Sequence, residues 1–123
     1  MNAPRFPGRA PIDAYGNGGF RFAGMSHKGS LLCLPEAIVG WPVRRIEEVS
    51  ADSLAAVLGD GAHIGFLLLG TGDRQAFPAP EVRRAFREAH MGLDVMDTGA
   101  ACRTYNVLLA EGRPVAAALI AVD

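Results

Sequence analysis

Met96-Asp97-Thr98-Gly99-Ala100-Ala101-Cys102-Arg103-Thr104-Tyr105-Asn106-Val107-Leu108-Leu109-Ala110-Glu111-Gly112-Arg113-Pro114-Val115-Ala116-Ala117-Ala118-Leu119-Ile120-Ala121-Val122 decides the fold. In order it reads as a strand end, a polar turn, a helix, a glycine stop and a buried strand. Asp97 or Thr98 can accept a hydrogen bond from the free N–H groups that open a helix, so one of them is the N-cap. Ala101, Tyr105 and Leu108 recur at i, i+4 and i+7 on one face, while Arg103 and Asn106 share another. Gly112 takes the left-handed conformation that ends a helix at little cost, and Pro114 resists continuing it. Eight apolar residues follow, Val115 to Val122.

The same grammar extends upstream. His63 to Leu69 is a continuous apolar run of strand length, which fits an interior strand covered on both faces. Pro80 suits the first turn of a helix in which Val82, Ala85, Phe86 and Ala89 form the apolar face and Gly92 is the stop. Leu93 to Met96 is a short strand. From residue 63 the order is therefore strand, helix, strand, helix, strand, which argues for partly parallel pairing with helices packed on the sheet. Before it, Ser50 can cap a helix with Leu54, Val57 and Leu58 inward, ended by Gly59-Asp60-Gly61.

The glycine-rich first third reads differently. Ile12 to Tyr15 is a short strand, Gly16-Asn17-Gly18-Gly19 a turn, Phe20-Arg21-Phe22 an alternating strand. Ser26 to Gly29 is expected to turn again, Ser30 to Leu34 to form an apolar strand, and Pro35 to Trp41 to hold one more extended segment. Met1 to Pro11 is read as a disordered tail, and residues 12–123 as one domain. The expected fold class is α/β: an N-terminal β-hairpin region packed on a mixed, partly parallel βαβαβ sheet with helices.

Composition narrows the function. The chain has 123 residues, of which 50% are hydrophobic and 20% charged, with a formal charge of −1. That balance offers no electrostatic case for nucleic acid or for an acidic membrane surface. No apolar run approaches the ~20 residues of a membrane-spanning helix. Two cysteines, Cys33 and Cys102, make neither a disulfide framework nor a zinc site, and reduced thiols in a cytoplasm are expected. Eleven arginines against the single Lys28, with abundant Ala and Gly, point to a GC-rich bacterial genome.

Candidate chemistry gathers at the carboxyl ends of the parallel strands, where ligands favour the crevice. Gly70-Thr71-Gly72-Asp73 follows one strand and Asp97-Thr98-Gly99-Ala100 the next. If the two strands are adjacent, Gly70, Thr71, Gly72, Asp97, Thr98 and Arg103 form a pocket for a small polar or anionic group or for a partner. The competing reading is structural: Asp97 caps the helix, Arg103 satisfies Asp97 or a carbonyl, and the glycines turn the chain. The loop lacks the Gly-Lys-Ser/Thr ending of a Walker motif. Cys102 lies beside Arg103 near a helix start, which favours thiolate, but a nucleophile needs a positioned base. His27, His63 and His90 lie in separate elements, so no catalytic residues are assigned, and Cys102 is read as a buried packing thiol. No metal-ligand spacing and no cofactor motif is present. Arg83, Arg84 and Arg87 cluster on the polar side of a helix, as a solvated face with an Arg84–Glu88 pair or as a protein-docking surface.

A family resemblance rests on Gly70-Thr71-Gly72, Met96-Asp97-Thr98, Ala100-Ala101-Cys102-Arg103-Thr104-Tyr105-Asn106 and Glu111-Gly112-Arg113. These residues resemble the domain of unknown function shared by mitochondrial complex I assembly factor 3 and its bacterial and archaeal relatives, over roughly Ile12 to Val122. The resemblance implies a compact mixed α/β domain, protein association as its role, and no established enzymatic activity. Its implied partners are respiratory-complex subunits or other assembly factors, met in the cytoplasm or at the inner membrane. The alternative reading is a small-metabolite-binding protein, or an enzyme, using the crevice.

Overall fold

The computed structural model describes residues 5–59 and 64–123. The carboxy-terminal half follows the expected alternation. Strand β7 (Phe66–Gly70), helix α2 (Pro80–Glu88), strand β8 (Gly92–Met96), helix α3 (Thr98–Ala110) and strand β9 (Val115–Leu119) follow in order. β7 pairs parallel with both β8 and β9, so it is the interior strand of the parallel unit. His63 and the Asp60-Gly61 part of the proposed helix stop lie outside the described residues.

The apolar runs at β7 and β9 are explained by their position. Leu67 and Leu69 enter one core cluster with Ala116 and Ala118, while Leu68 enters another with Ala117 and Leu119. A strand with both faces covered needs apolar side chains at every position rather than at alternate ones. Each fully buried leucine contributes about 1.5–3 kcal/mol through its burial.

β5 (Ser30–Cys33) pairs antiparallel with β9 on one side and with β6 (Ile38–Trp41) on the other. β1 (Arg5–Phe6) pairs with β6, which completes a six-stranded mixed sheet in the order β1-β6-β5-β9-β7-β8. A separate three-stranded antiparallel sheet holds β2 (Ile12–Gly16), β3 (Gly19–Phe22) and β4 (Met25–Lys28). Short helix α1 (Ala55–Leu58) follows a single 3₁₀ turn, Asp52–Leu54. Ser50 opens that turn: its hydroxyl accepts from Ser53 N–H at 3.1 Å, and the Ser53 hydroxyl accepts from Ser50 N–H at 2.9 Å. Val57 and Leu54 from this region and Val82 and Phe86 from α2 cover one face of the large sheet. Tyr105, Cys102 and Ala101 from α3, with Ile12, Phe20 and Phe22 from the small sheet, cover the other.

Four expectations are corrected. Ser26 to Lys28 is a strand, not a turn, and the chain reverses instead at Ala23-Gly24, both at positive φ (51° and 74°). Alanine is a rare occupant of that conformation, so the turn carries a weak signature. Ser30 to Cys33 belongs to the large sheet rather than to the N-terminal hairpin. α2 ends at Glu88, the chain leaves it through His90 at a left-handed φ of 55°, and Gly92 already belongs to β8. Gly92 is required there for a different reason: a Cβ would come within 2.8 Å of Phe66 Cβ on the adjacent strand. Finally, the segment read as a disordered tail is ordered from residue 5 onward. Arg5–Phe6 is paired, Phe6 meets the Phe22 ring edge-on at a centroid distance of 6.1 Å, and Ala10 is buried. Residues 1–4 lie outside the described residues.

Candidate functional site

The two loops proposed to meet do meet, because β7 and β8 are adjacent and parallel. Thr98 joins them. Its N–H donates to Gly72 O at 2.9 Å, and its hydroxyl accepts from Gly72 N–H at 2.9 Å. The same hydroxyl donates to Ile120 O at 2.7 Å, which brings in the end of β9. Thr98 has no exposed surface. Gly70 lies so close beneath it that a Cβ would come within 3.0 Å of Thr98 Cα and 3.1 Å of Leu119 Cδ2. The Thr71 hydroxyl donates to Arg74 O at 2.6 Å and accepts from Ala76 N–H at 3.1 Å. The hydroxyls and the Gly72 N–H at this junction are thus bonded to one another and to neighbouring backbone.

Asp97, rather than Thr98, is the N-cap of α3: its carboxylate accepts from Ala100 N–H at 2.9 Å. At the other end, Gly112 at φ 72° closes the helix, with Arg113 N–H bonded to Leu108 O at 3.0 Å. Arg103 does not hold the Asp97 turn. It is exposed, and its guanidinium donates to the Tyr15 hydroxyl at 3.4 Å. Among the described residues no ion pair joins Arg103 to Asp97. Tyr15 lies across Gly99, where any Cβ would strike its ring. Arg103→Ala is therefore expected to change stability by no more than about 1 kcal/mol. A double-mutant cycle of Arg103→Ala with Asp97→Asn, followed by urea unfolding, should give a coupling near zero.

Asn106, on the same side of α3, ties the helix to β2. Its amide oxygen accepts from Ile12 N–H and its amide nitrogen donates to Ile12 O, both at 2.8 Å. Sequence spacing marks neither Tyr15 nor Ile12 as a partner of this helix. An amide at position 106, facing the edge of a short strand, was the available signal.

An open cleft of about 270 Å³ borders the first loop, lined by Thr71, Gly72 and Asp73 together with Arg44 and Arg45. Asp97, Thr98 and Arg103 do not line it. Glu47 and Asp123 line it as well, and Glu48, outside the lining, accepts from Arg44 N–H at 2.8 Å and stands 3.7 Å from Arg45 Nε.

Both thiols are buried. Burial pushes the Cys102 pKa up to about 12; Arg103 opposes the rise and Asp97 adds to it. Burial also raises Cys33, with Cys102 adding to the rise, and raises Tyr105. The helix start therefore does not make Cys102 a thiolate. His27 hydrogen-bonds Ser30 O from the small sheet, and His90 follows the end of α2. Because the folded thiols keep their protons above the pH at which unfolded thiols lose them, stability is complete below an unfolded pKa of about 8.5. Above it, stability should fall by about 1.4 kcal/mol per pH unit for each buried thiol. Chemical unfolding across that alkaline range, with Cys33→Ala and Cys102→Ala chains as references, measures the slope.

Arg83, Arg84 and Arg87 are exposed along one side of α2, whose Val82 and Phe86 point into the core. No ion pair joins Arg84 to Glu88 among the described residues. The described residues contain no cluster of three potential metal-binding side chains. No described helix is long and apolar enough to cross a membrane.

A mixed sheet covered on one face by two helices, and on the other by α3 with a small antiparallel sheet, defines a class of compact α/β domains. The chain belongs to the protein family of unknown function DUF498/DUF598, whose model matches residues 12–120. It is 38% identical to an uncharacterized protein of Rhodobacter capsulatus, over 95% of this chain and 89% of that protein. It is 36% identical to the bovine NADH dehydrogenase (ubiquinone) 1 alpha subcomplex assembly factor 3, over 89% of this chain and 59% of that protein. The chain thus spans about three-fifths of the mitochondrial relative. Among solved structures, a crystal structure described as an outer membrane protein from Bartonella henselae is 51% identical, with a TM-score of 0.91 over 96% of this chain and 99% of that one.

Proposed function

We propose that this chain is a non-enzymatic protein-interaction protein that assists assembly of respiratory membrane complexes of the complex I type. The observation that carries this reading is its 36% identity to a complex I assembly factor across 89% of its length. Its partners would be respiratory-complex subunits or other assembly factors, met in the cytoplasm or at the inner membrane. The exposed Arg83, Arg84 and Arg87 supply a docking surface suited to acidic partners, since arginine is enriched at interfaces and lies here outside the core. Affinity purification at native expression, with wild type and an Arg83→Glu, Arg84→Glu, Arg87→Glu chain, tests it. Specific partners should be retained by the wild type and lost by the variant. Recovery of no specific partner, under conditions that keep weak complexes intact, would count against it.

A second proposal moves the small polar or anionic metabolite of the sequence reading to the cleft beside Thr71–Asp73, because Asp97, Thr98 and Arg103 do not line it. It draws on that cleft of about 270 Å³, whose lining sets Arg44 and Arg45 against the carboxylates of Glu47, Asp73 and Asp123. Thermal-shift titration with inorganic phosphate and small carboxylates tests it, and no shift at millimolar concentrations would discard it.

A further inference from the structure

We propose that the free edge of β4 docks an extended segment of another protein whose side chains alternate between apolar and acidic. The inference rests on the small sheet alone and does not depend on the arginine face of α2. Among the described residues β4 pairs with β3 and with no other strand, in the order β2-β3-β4. The two-residue turn at Ala23-Gly24 makes Phe22 and Met25 the hydrogen-bonded closing pair. By the alternation of an antiparallel ladder, Phe20 and His27 form the next bonded pair, and Gly29 N–H to Gly18 O at 2.7 Å continues the series. Ser26 and Lys28 therefore turn their N–H and C=O groups away from β3. Such an edge is a template for one more strand.

A groove borders β4 on each face, and the two grooves differ in chemistry. One, of about 270 Å³, is walled by Phe6, Phe22, Met25, Leu31 and Ile38. Met25 is 42% exposed at its mouth. The other, of about 350 Å³, carries Arg21 and Lys28 over a floor of small residues including Ala14 and Gly16, and among the described residues no carboxylate lines it. Ser26, His27 and Lys28 line both. A strand added to β4 projects successive side chains to opposite faces. One set would enter the apolar groove, and the other would lie over Arg21 and Lys28. Charge complementarity makes that second set acidic. A second copy of this chain fits the edge less well, because it would bring another Lys28 and no carboxylate from its own β4.

Selection of random strand-length peptides from a display library against the full chain tests the proposal. The enriched peptides should alternate Val, Ile, Leu or Phe with Asp or Glu. Ser26→Pro removes an outward N–H while leaving the bonded pairs to β3 intact, as proline on an edge strand permits. It should weaken binding of an enriched peptide about tenfold. Lys28→Glu, at an exposed position, should shift the selection from acidic to basic alternation; it decides the matter should the proline variant not fold. The proposal is overturned if no alternating pattern emerges, or if both variants bind enriched peptides as the wild type does. Sedimentation showing self-association that Ser26→Pro abolishes would assign the edge to a second copy and overturn it as well. Charge reversal of Arg83, Arg84 and Arg87 should leave peptide binding unchanged, so failure at one surface is distinguishable from failure at the other.

Discussion

Thr98→Ala is expected to destabilise the fold by about 2–4 kcal/mol, because each buried backbone group left without a partner costs about 1–3 kcal/mol. Two such groups depend on the Thr98 hydroxyl: Gly72 N–H, which it accepts from, and Ile120 O, which it donates to. Thr98 is fully buried, and a Cβ at Gly70 would come within 3.0 Å of its Cα. Water therefore has little access to Ile120 O, whereas Gly72 is half-buried beside the open cleft, which favours the lower end of that range. Thr98→Val, which keeps the shape and loses the hydroxyl, should be as damaging as Thr98→Ala. Thr98→Ser, which keeps the hydroxyl, should cost about 1 kcal/mol for the lost methyl. Urea unfolding of the three chains separates hydrogen bonding from packing. Equal stability of the Ser and Val variants would show that the hydroxyl is not what joins β7, α3 and β9. Against the 5–15 kcal/mol typical of a folded domain, the predicted loss is large.

The second large effect belongs to Tyr105, which lies fully buried between α3 and the large sheet. Tyr105→Ala opens a cavity where an aromatic ring packs against Leu68, Ala117 and Leu119 in the same cluster, and should cost about 3–5 kcal/mol. The hydroxyl contributes far less. Arg9 and Cys33 stand beside it, but no contact reaches hydrogen-bond geometry. The Arg9 Nη2 donates to Arg113 O at 2.7 Å, while Arg9 Nε, like the Tyr105 hydroxyl, is buried without a hydrogen-bond partner among the described residues. Tyr105→Phe should therefore stay within about 1 kcal/mol of the wild type. A loss for Tyr105→Phe comparable with that for Tyr105→Ala, measured by the same unfolding titration, would assign the hydroxyl a structural bond that the geometry does not give it.

What could be read from the residues depended on the range of the interactions involved. β7, α2, β8, α3 and β9 were legible because each carries a local pattern: continuous apolar runs for covered strands, a 3.6-residue stripe for α2, and Gly112 at the end of α3. The meeting of the Gly70–Asp73 and Asp97–Ala100 loops followed from that topology. The partner of Arg103 did not follow, since Tyr15 lies 88 positions away and Asp97 was the nearest carboxylate by spacing. Asn106 and Ile12 are separated by 94 positions and were missed for the same reason. β4 reads as a turn in the sequence because Ser26, His27 and Lys28 carry the polarity of an exposed edge strand, which resembles that of a loop. The end of α2 was misplaced because His90 adopts a conformation that glycine usually supplies.

These corrections bear on function as well as on fold. Thr98 and Gly72 spend their hydrogen bonds on each other and on Ile120, whereas Arg103, the α2 arginines and the β4 edge face outward. Groups that face outward are available to another protein, and it is there that an assembly role would act.

Deleting the gene for this chain in the organism that encodes it, and resolving its respiratory complexes on native gels, tests the assembly role most directly. Less fully assembled complex of the complex I type and an accumulation of subcomplexes are expected. Wild type should restore assembly, and the Arg83→Glu, Arg84→Glu, Arg87→Glu chain, folded to the same stability, should not. Normal amounts of assembled complex in the deletion strain, with no subcomplexes, would contradict it.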